Sequence, residues 1–196
     1  MVMKLLHALL ILCFLHCTTS LCGQYYKPAR IFKKDQADAW MGVGLLPTYT
    51  KDASRISVLP VSIGLDWLVS DQFSLGASGG YSFYQIEKLW PGDTAIRRYS
   101  TQTLQIMGRA AAHYTRADNL DLYGGIQLGG QFTLINSLNG PFGRMEELHG
   151  IKPKKFRMQY GAFFGVRFAV SRKSVVWSEF GTGISFIQVG YGIKVF

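Results

Sequence analysis

The stretch that decides the fold is FRMQYGAFFGVRFAVS, residues 156–171. Its even positions are all apolar, whereas its odd positions hold arginine, glutamine, glycine and serine together with Phe163 and Ala169. Side chains of a β-strand alternate between two faces, so this pattern predicts a strand with one apolar face. The run exceeds the roughly 5–6 residues of an ordinary soluble strand and covers the roughly 9–11 residues that cross a bilayer. A transmembrane β-strand is therefore the first expectation.

The same alternation recurs along the chain. Seven further runs show it: 39–49, 57–69, 73–85, 103–115, 120–135, 174–181 and 187–195. Short polar turns at 70–72, 116–119 and 171–173 alternate with the longer connections 51–55, 87–98 and 136–155, and with the variable segment 181–183. Short turns on one side and long loops on the other are typical of bacterial outer-membrane barrels. The pattern predicts an all-β, eight-stranded, antiparallel, up-and-down transmembrane barrel, with a bulge near Pro60.

Composition agrees with this class. The chain has 196 residues, of which 17% are charged, below the roughly 25% of soluble domains. Its net charge of +9 is a basic balance that nucleic-acid binding would require. No block of five or six like charges occurs, however, so no nucleic-acid partner is predicted.

The N-terminus has the pattern of a secretory signal peptide. Lys4 precedes an apolar segment, 5–15, and small residues follow near a cleavage point before Gln24. We predict a signal peptide over 1–23, a solvated basic periplasmic lead-in over 24–38 and the barrel over 39–196. All three cysteines, Cys13, Cys17 and Cys22, fall in the leader. Lipidation of Cys22 is the alternative, although Leu21 stands where a lipobox has a small residue.

The apolar face of the strands is predicted to contact lipid. The opposite face is rich in Gly, Ser, Gln and Thr, whereas the outside of a soluble barrel would carry many Lys and Glu. Aromatic residues of the apolar face also cluster near both ends of the strands, as interfacial girdles do. Near the short turns these are Trp67, Phe73, Tyr114 and Phe168, and toward the loops they are Tyr49, Tyr81, Phe83, Phe132, Phe156 and Tyr160.

Glycine-and-aromatic strand segments carry a family resemblance. They are GGYSFY (79–84), YGGIQLGGQF (123–132), YGAFFGVRF (160–168) and GYGIKVF (190–196). Through them, residues 40–196 resemble the OmpA/OmpX-type eight-stranded outer-membrane β-barrels, and most of all the outer membrane protein β-barrel domain families of Bacteroidota. The resemblance implies the cell outer membrane of a Gram-negative bacterium. It also implies that Phe196 is an assembly signal for the barrel assembly machinery, although Lys194 stands where an aromatic residue in phase with it is expected.

Eight strands enclose an interior that side chains fill, so no open pore is predicted. Buried charges need partners, and the inward face carries charges of both signs on several strands. We predict a lumen charge plug made of Asp66, Arg109, His113, Asp121, Arg167 and Lys194. Glu179 is expected higher in the lumen, and Phe163 is expected to fill it over Gly161 and Gly165.

Enzymatic chemistry has little support in the sequence. His113 is a candidate general base near Asp121 or Asp66, but no serine nucleophile is evident beside it. No His/Cys/Asp cluster has the spacing of metal ligands. The expectation is a protein without catalytic activity, cofactor or metal, and a lipid A-modifying enzyme remains an alternative.

The loops suggest how the protein meets partners. They hold a basic set that is partly offset by Glu146 and Glu147: Lys88, Arg97, Arg98, Arg144, Lys152, Lys154 and Lys155. Cations at the rim of an outer-membrane barrel would meet the phosphates of lipopolysaccharide. We predict a structural or interaction role through extracellular loops, with outer-membrane lipid, lipopolysaccharide and other envelope proteins as partners. An accessory subunit of an envelope or secretion complex is a further alternative.

Overall fold

The structure is a computed structural model that describes residues 32–49, 53–89, 95–117, 119–140 and 142–195. The predicted signal peptide with its cysteines, most of the lead-in and Phe196 lie outside the described residues. Within the described ranges the elements are β1 (Ala37–Pro47), β2 (Arg55–Leu68), β3 (Phe73–Lys88), β4 (Arg97–Ala117), β5 (Leu120–Ser137), α1 (Arg144–Leu148), β6 (Lys154–Ala169), β7 (Ser174–Gly181) and β8 (Ser185–Lys194). The described residues include no helix with the length and apolar character of a transmembrane helix.

The strands close into a single barrel. Each pairs antiparallel with its sequence neighbours, and β1 pairs with β8 to complete the ring. Closure gives the strands hydrogen-bond partners on both sides without a helix, which is what a bilayer demands of backbone groups. The predicted eight-stranded, up-and-down fold is confirmed. The ladder between β2 and β3 shifts register between Ile56 and Val61, so the irregularity predicted near Pro60 is present.

Apolar side chains lie on the outside and polar ones inside. Ile63, Ile126 and Met158 are 64%, 68% and 65% exposed, whereas Asp66 and Gln105 are 3% and 5% exposed. This arrangement is the reverse of a soluble protein and suits a lipid-facing belt. The predicted girdle residues other than Tyr49 occupy this outer face, and most of them are well exposed: Trp67, Phe73, Tyr81, Tyr114, Phe132, Phe156, Tyr160 and Phe168.

Tyr49 does not belong to the girdle, contrary to the prediction. It is 8% exposed, and its ring stacks on Tyr84 with 3.9 Å between ring centroids. Register shifts between β1 and β8 at Leu46 and Pro47 change the phase of the strand end. A strand that loses its register turns its next side chains to the other face, so Tyr49 points inward.

The barrel is taller on one side. Strands β3 to β6 have 16, 21, 18 and 16 residues, whereas β7, β8 and β1 have 8, 10 and 11. At the far end of β3 and β4, Lys88 pairs with Arg97, while β6 pairs with β7 only from Phe163 to Ala169. We call β3–β6 the long-strand wall. It continues beyond the rim that the shorter strands form.

The described part of the lead-in is docked, not solvated as predicted. Phe32 is 3% exposed and packs in one cluster with Leu68, Ala169 and Val175. The Asp35 amide donates to the Leu68 carbonyl at 2.8 Å, and the Leu68 amide donates to the Gln36 carbonyl at 2.9 Å. The segment thus covers apolar side chains at the short-turn end of the lumen. Strand β1 follows it directly and begins at Ala37, two residues before the predicted start.

Candidate functional site

Two arginines and three carboxylates cross the lumen. The Arg167 guanidinium binds Asp38 from Nη1 at 3.1 Å and Asp66 from Nη2 at 3.0 Å. Nη2 of Arg109 lies 2.6 Å from Oε2 of Glu179. Nε of Arg109 lies 3.7 Å from Oδ1 of Asp66. Asp66 therefore joins both arginines. We call these five residues, which come from β1, β2, β4, β6 and β7, the lumen charge network.

Aromatic side chains enclose the network. The Trp40 indole donates to Asp66 at 2.9 Å and the Tyr123 hydroxyl donates to Glu179 at 3.2 Å. The Arg109 guanidinium lies 4.2 Å from the centre of the Phe163 ring, and that of Arg167 lies 4.5 Å from the centre of the Tyr123 ring. Buried charges with such partners avoid the large cost of an isolated ion.

Two glycines make room for the tryptophans. A Cβ at Gly42 would lie 2.5 Å from Cζ2 of Trp177, and one at Gly64 would overlap the indole of Trp40. The two indoles meet edge to face with 5.0 Å between ring centroids. The inward glycines of β1 and β2 thus permit large rings inside a narrow barrel.

Of the six predicted plug residues, Asp66, Arg109 and Arg167 meet in the network. His113 and Asp121 form a separate buried pair, and the Lys194 ammonium lies beside Phe32, 5.1 Å from its ring centre. The sequence prediction places Asp38 in the lead-in, whereas the structure places it in β1. The inward alternation of β1 runs back from Gly42 through Trp40 to Asp38, and this was the signal that could have placed it in the lumen.

The structure brings a serine to His113, which the sequence analysis did not expect. The Ser74 hydroxyl lies 2.7 Å from Nε2 of His113, and Nδ1 of His113 lies 2.8 Å from Asp121. This is the connectivity of a Ser-His-Asp triad. The side chains of His113 and Asp121 are 0% exposed, and Ser74 is 3% exposed. We call these three residues the buried triad.

Phe163 fills the lumen as predicted, and the nearest neighbours of the two predicted glycines are other side chains. A Cβ at Gly165 would overlap Tyr123, and one at Gly161 would overlap Thr182. Gly181 is the glycine beside Phe163, because a Cβ there would lie 2.7 Å from the Phe163 Cβ. The reason is the pairing of Phe163 with Gly181 across β6 and β7.

The lumen is filled at the level of the network. The cavity among the charged residues has a volume of about 10 Å3, and about this much space holds one water molecule. Its lining includes Asp38, Asp66, Arg109 and Glu179. Side chains therefore occupy this cross-section of the barrel.

The predicted basic residues do not form one surface. Strand alternation turns Arg98 and Lys154 outward and turns Lys88, Arg97 and Lys155 inward. Arg98 pairs with Glu87 at 3.1 Å. Lys152 lies exposed in the loop before β6, and the side chain of Arg144 is outside the described part of the chain. The set divides into outward and inward cations because the strands extend into segments that the sequence prediction assigns to loops, and side chains alternate along a strand.

One carboxylate fastens the longest loop to the wall. Glu146 of α1 accepts the Gly143 amide at 2.9 Å and the Tyr99 hydroxyl at 3.1 Å, and Arg97 lies 3.9 Å away. The hydrogen bond from the Gly143 amide, with help from Tyr99 and Arg97, lowers the pKa of Glu146 below its ordinary value. The loop is thereby tied to the top of β4.

Comparisons with known proteins identify the architecture. No protein-family model matches the sequence, and no curated protein matches it. The structure is similar to the outer membrane protein OprG from Pseudomonas aeruginosa, with 11% identity, a TM-score of 0.50, and coverage of 83% of this chain and 96% of that chain. The fold is that of a bacterial outer-membrane β-barrel.

Two other outer-membrane structures are similar to this barrel. The attachment invasion locus protein Ail of Yersinia pestis, in complex with a heparin analogue, is 9% identical with a TM-score of 0.47, covering 82% of this chain and 95% of that one. Neisserial surface protein A is 15% identical with a TM-score of 0.43, covering 82% and 94%. The apolar belt and the fold together place the chain in the outer membrane.

Proposed function

We propose that this protein is a non-conducting outer-membrane barrel that presents its long-strand wall and loops as an interaction surface. The lumen charge network carries the proposal, because ion pairs joining β1, β2, β4, β6 and β7 occupy the path a solute would take. Because side chains fill the lumen, we expect partners to bind outside it, on the long-strand wall that continues beyond the rim of the shorter strands.

The outward cations favour lipopolysaccharide as a neighbour. Lys154 precedes the girdle residue Phe156 on β6 and is exposed, so its ammonium lies where the headgroup phosphates of the outer leaflet begin. Arg98 is also outward, although Glu87 offsets its charge. Cations at this depth form charge-assisted hydrogen bonds with phosphate.

A second candidate, a lipid-modifying hydrolase, has one specific observation in its favour, the buried triad. Its serine, however, is only 3% exposed, and a nucleophile must reach the carbonyl carbon of its substrate. We therefore infer an interaction role without catalysis. Membership of a Bacteroidota family and a role as an accessory subunit stay predictions from the sequence.

Two measurements test the proposal. In planar bilayers the folded protein should show no steady ion conductance, whereas Arg109→Ala combined with Arg167→Ala should open a leak. Lys154→Gln should reduce the lipopolysaccharide that co-purifies in gentle detergent. Arg172→Gln with Lys173→Gln, which removes cations from the short turn after β6, is the matched control. Conductance by the wild-type barrel, or equal lipopolysaccharide loss in the control, would contradict the proposal.

A further inference from the structure

A polar cavity opens where the lumen meets the loop side. It has a volume of about 220 Å3, less than the roughly 300–1,000 Å3 of pockets for drug-sized ligands. It therefore has room for one ring-sized group. Its lining includes Tyr49, Tyr84, Thr103, Gln105, Gln131 and Arg157. We call this space the mouth cavity, and it is separate from the outward cations discussed above.

Two contacts hold parts of the cavity wall in place. Tyr49 and Tyr84 stack with an interplanar angle of 6°, and Tyr84 belongs to the hydrogen-bonded ladder between β3 and β4. The Gln105 amide donates to Gln159 at 2.6 Å, which orients the Gln105 side chain. Such walls lose little freedom when a ligand binds, and this favours affinity.

Hydroxyl groups are concentrated near the cavity. Among the described residues the buried Thr101 hydroxyl makes no hydrogen bond, and the Tyr49 hydroxyl has the Ser82 side chain as its hydrogen-bonding neighbour. Ser82 and Thr101 flank Tyr84 in the paired strands β3 and β4. Hydroxyls therefore surround the tyrosine pair, and Thr103 brings a further hydroxyl into the lining itself.

The electrostatics select an anion. Arg157 is the charged residue in the lining, and no described lining residue carries a carboxylate. By strand alternation Lys155 lies on the same inward face, two residues nearer the loop. A guanidinium recognises a carboxylate through paired hydrogen bonds. The cavity thus combines one anion-binding group with amides, hydroxyls and aromatic rings.

We propose that the mouth cavity binds a single carboxylated pyranose, such as the terminal acidic sugar of a surface polysaccharide. Arg157 pairs with the sugar carboxylate, while Gln105, Gln131 and Thr103 bind ring hydroxyls. The tyrosine pair offers an aromatic face to the positively polarised C–H edge of the pyranose. This ligand uses each kind of group in the lining, whereas a bare anion would use only Arg157.

Gly183 lines the cavity, so an uncharged side chain placed there would fill the cavity without changing its charge. A Cβ there would lie 3.3 Å from the Gln127 amide nitrogen and 3.9 Å from Gln105 Oε1. The glycines with left-handed backbone in the described chain are Gly140 and Gly150, so a side chain at Gly183 meets no backbone strain. A leucine at this position would project among the amides that face the cavity.

The test is saturation-transfer NMR on the folded, detergent-solubilised protein, with glucuronate, glucose and inorganic phosphate as probes. Glucuronate should bind at least about tenfold more tightly than glucose, as expected when one charged contact contributes about 1.4 kcal/mol. Arg157→Gln should remove this preference, and Gly183→Leu should abolish binding of both sugars. Arg172→Gln should change neither, because it lies in a short turn at the other end.

Three results would overturn the inference: no glucuronate binding by the folded wild-type protein, wild-type binding by Gly183→Leu, or phosphate competing as strongly as glucuronate. Heat-modifiable migration on a gel shows whether each variant is folded, and Arg157→Gln decides the question if Gly183→Leu does not fold. Lipopolysaccharide co-purification with Lys154→Gln is measured independently, so failure here is distinguishable from failure of the proposed function.

Discussion

The carboxylate of Glu179 lies 2.6 Å from Nη2 of Arg109, with both side chains 5% exposed. Removing one member of a buried pair leaves an unpaired charge and costs about 3–5 kcal/mol. We expect Glu179→Ala to lower the free energy of unfolding by this amount, as measured by urea unfolding in lipid vesicles. The control is Glu87→Ala, which breaks the exposed pair with Arg98 and should cost about 1 kcal/mol or less. If the two variants lost the same free energy of unfolding, the buried pair would stabilise the barrel no more than the exposed one.

Phe32 holds the lead-in against the barrel. Phe→Ala substitutions in packed sites typically cost about 3–5 kcal/mol, and we expect Phe32→Ala to undock residues 32–36 while the barrel stays closed. Hydrogen exchange of the Leu68 amide, which binds the Gln36 carbonyl, should then accelerate. Lys33→Ala, at an exposed neighbouring site, should leave the exchange rate unchanged. Slow Leu68 exchange in Phe32→Ala would refute the anchoring role.

The buried triad should be chemically silent. A fluorophosphonate probe labels serines that are both activated and accessible, and the Ser74 hydroxyl is enclosed. We expect no labelling of the folded protein by mass spectrometry, and no change in the lipid A mass spectrum on expression. Labelling at Ser74 that disappears in His113→Asn would instead establish the hydrolase alternative.

The loop that contains α1 should loosen in acid. The pKa of Glu146 is lowered from an ordinary value of about 4.5, chiefly by the Gly143 amide. Ionised Glu146 therefore stabilises the loop fully above that value, and the stabilisation is lost as the pH falls through the lowered pKa of the folded state. Proteolysis of the loop by an acid-active protease should accelerate over that range.

The matched variants for the loop are Glu146→Gln and Glu147→Gln. Glu146→Gln should be cut readily even above pH 4.5, whereas Glu147→Gln, at an exposed position, should behave like the wild type. If both variants were equally resistant, the tie between α1 and Tyr99 would have no part in holding the loop.

Strand positions were predicted well because alternation is visible residue by residue. β7 matches its predicted range, and β5 starts at the predicted residue. β4 starts six residues earlier than predicted because Arg97–Gln102 pair with β3 across the loop region. Hydrogen bonding continues there without an apolar stripe, so the sequence shows no signal where the strand leaves the membrane.

The sequence by itself determined the number of strands, the face that each turns to lipid and the class of membrane protein, because these follow from local alternation. Only the tertiary structure decided which charges meet. Arg167 pairs with Asp66 and Asp38, which lie 101 and 129 positions away in the sequence. Ser74 contacts His113, which lies 39 positions away. Partners this distant depend on barrel closure and on the register of each strand pair, and alternation specifies neither. Phe156–Ser171 therefore predicted the lipid face of β6 and the inward position of Arg167, but not the two carboxylates that bind it.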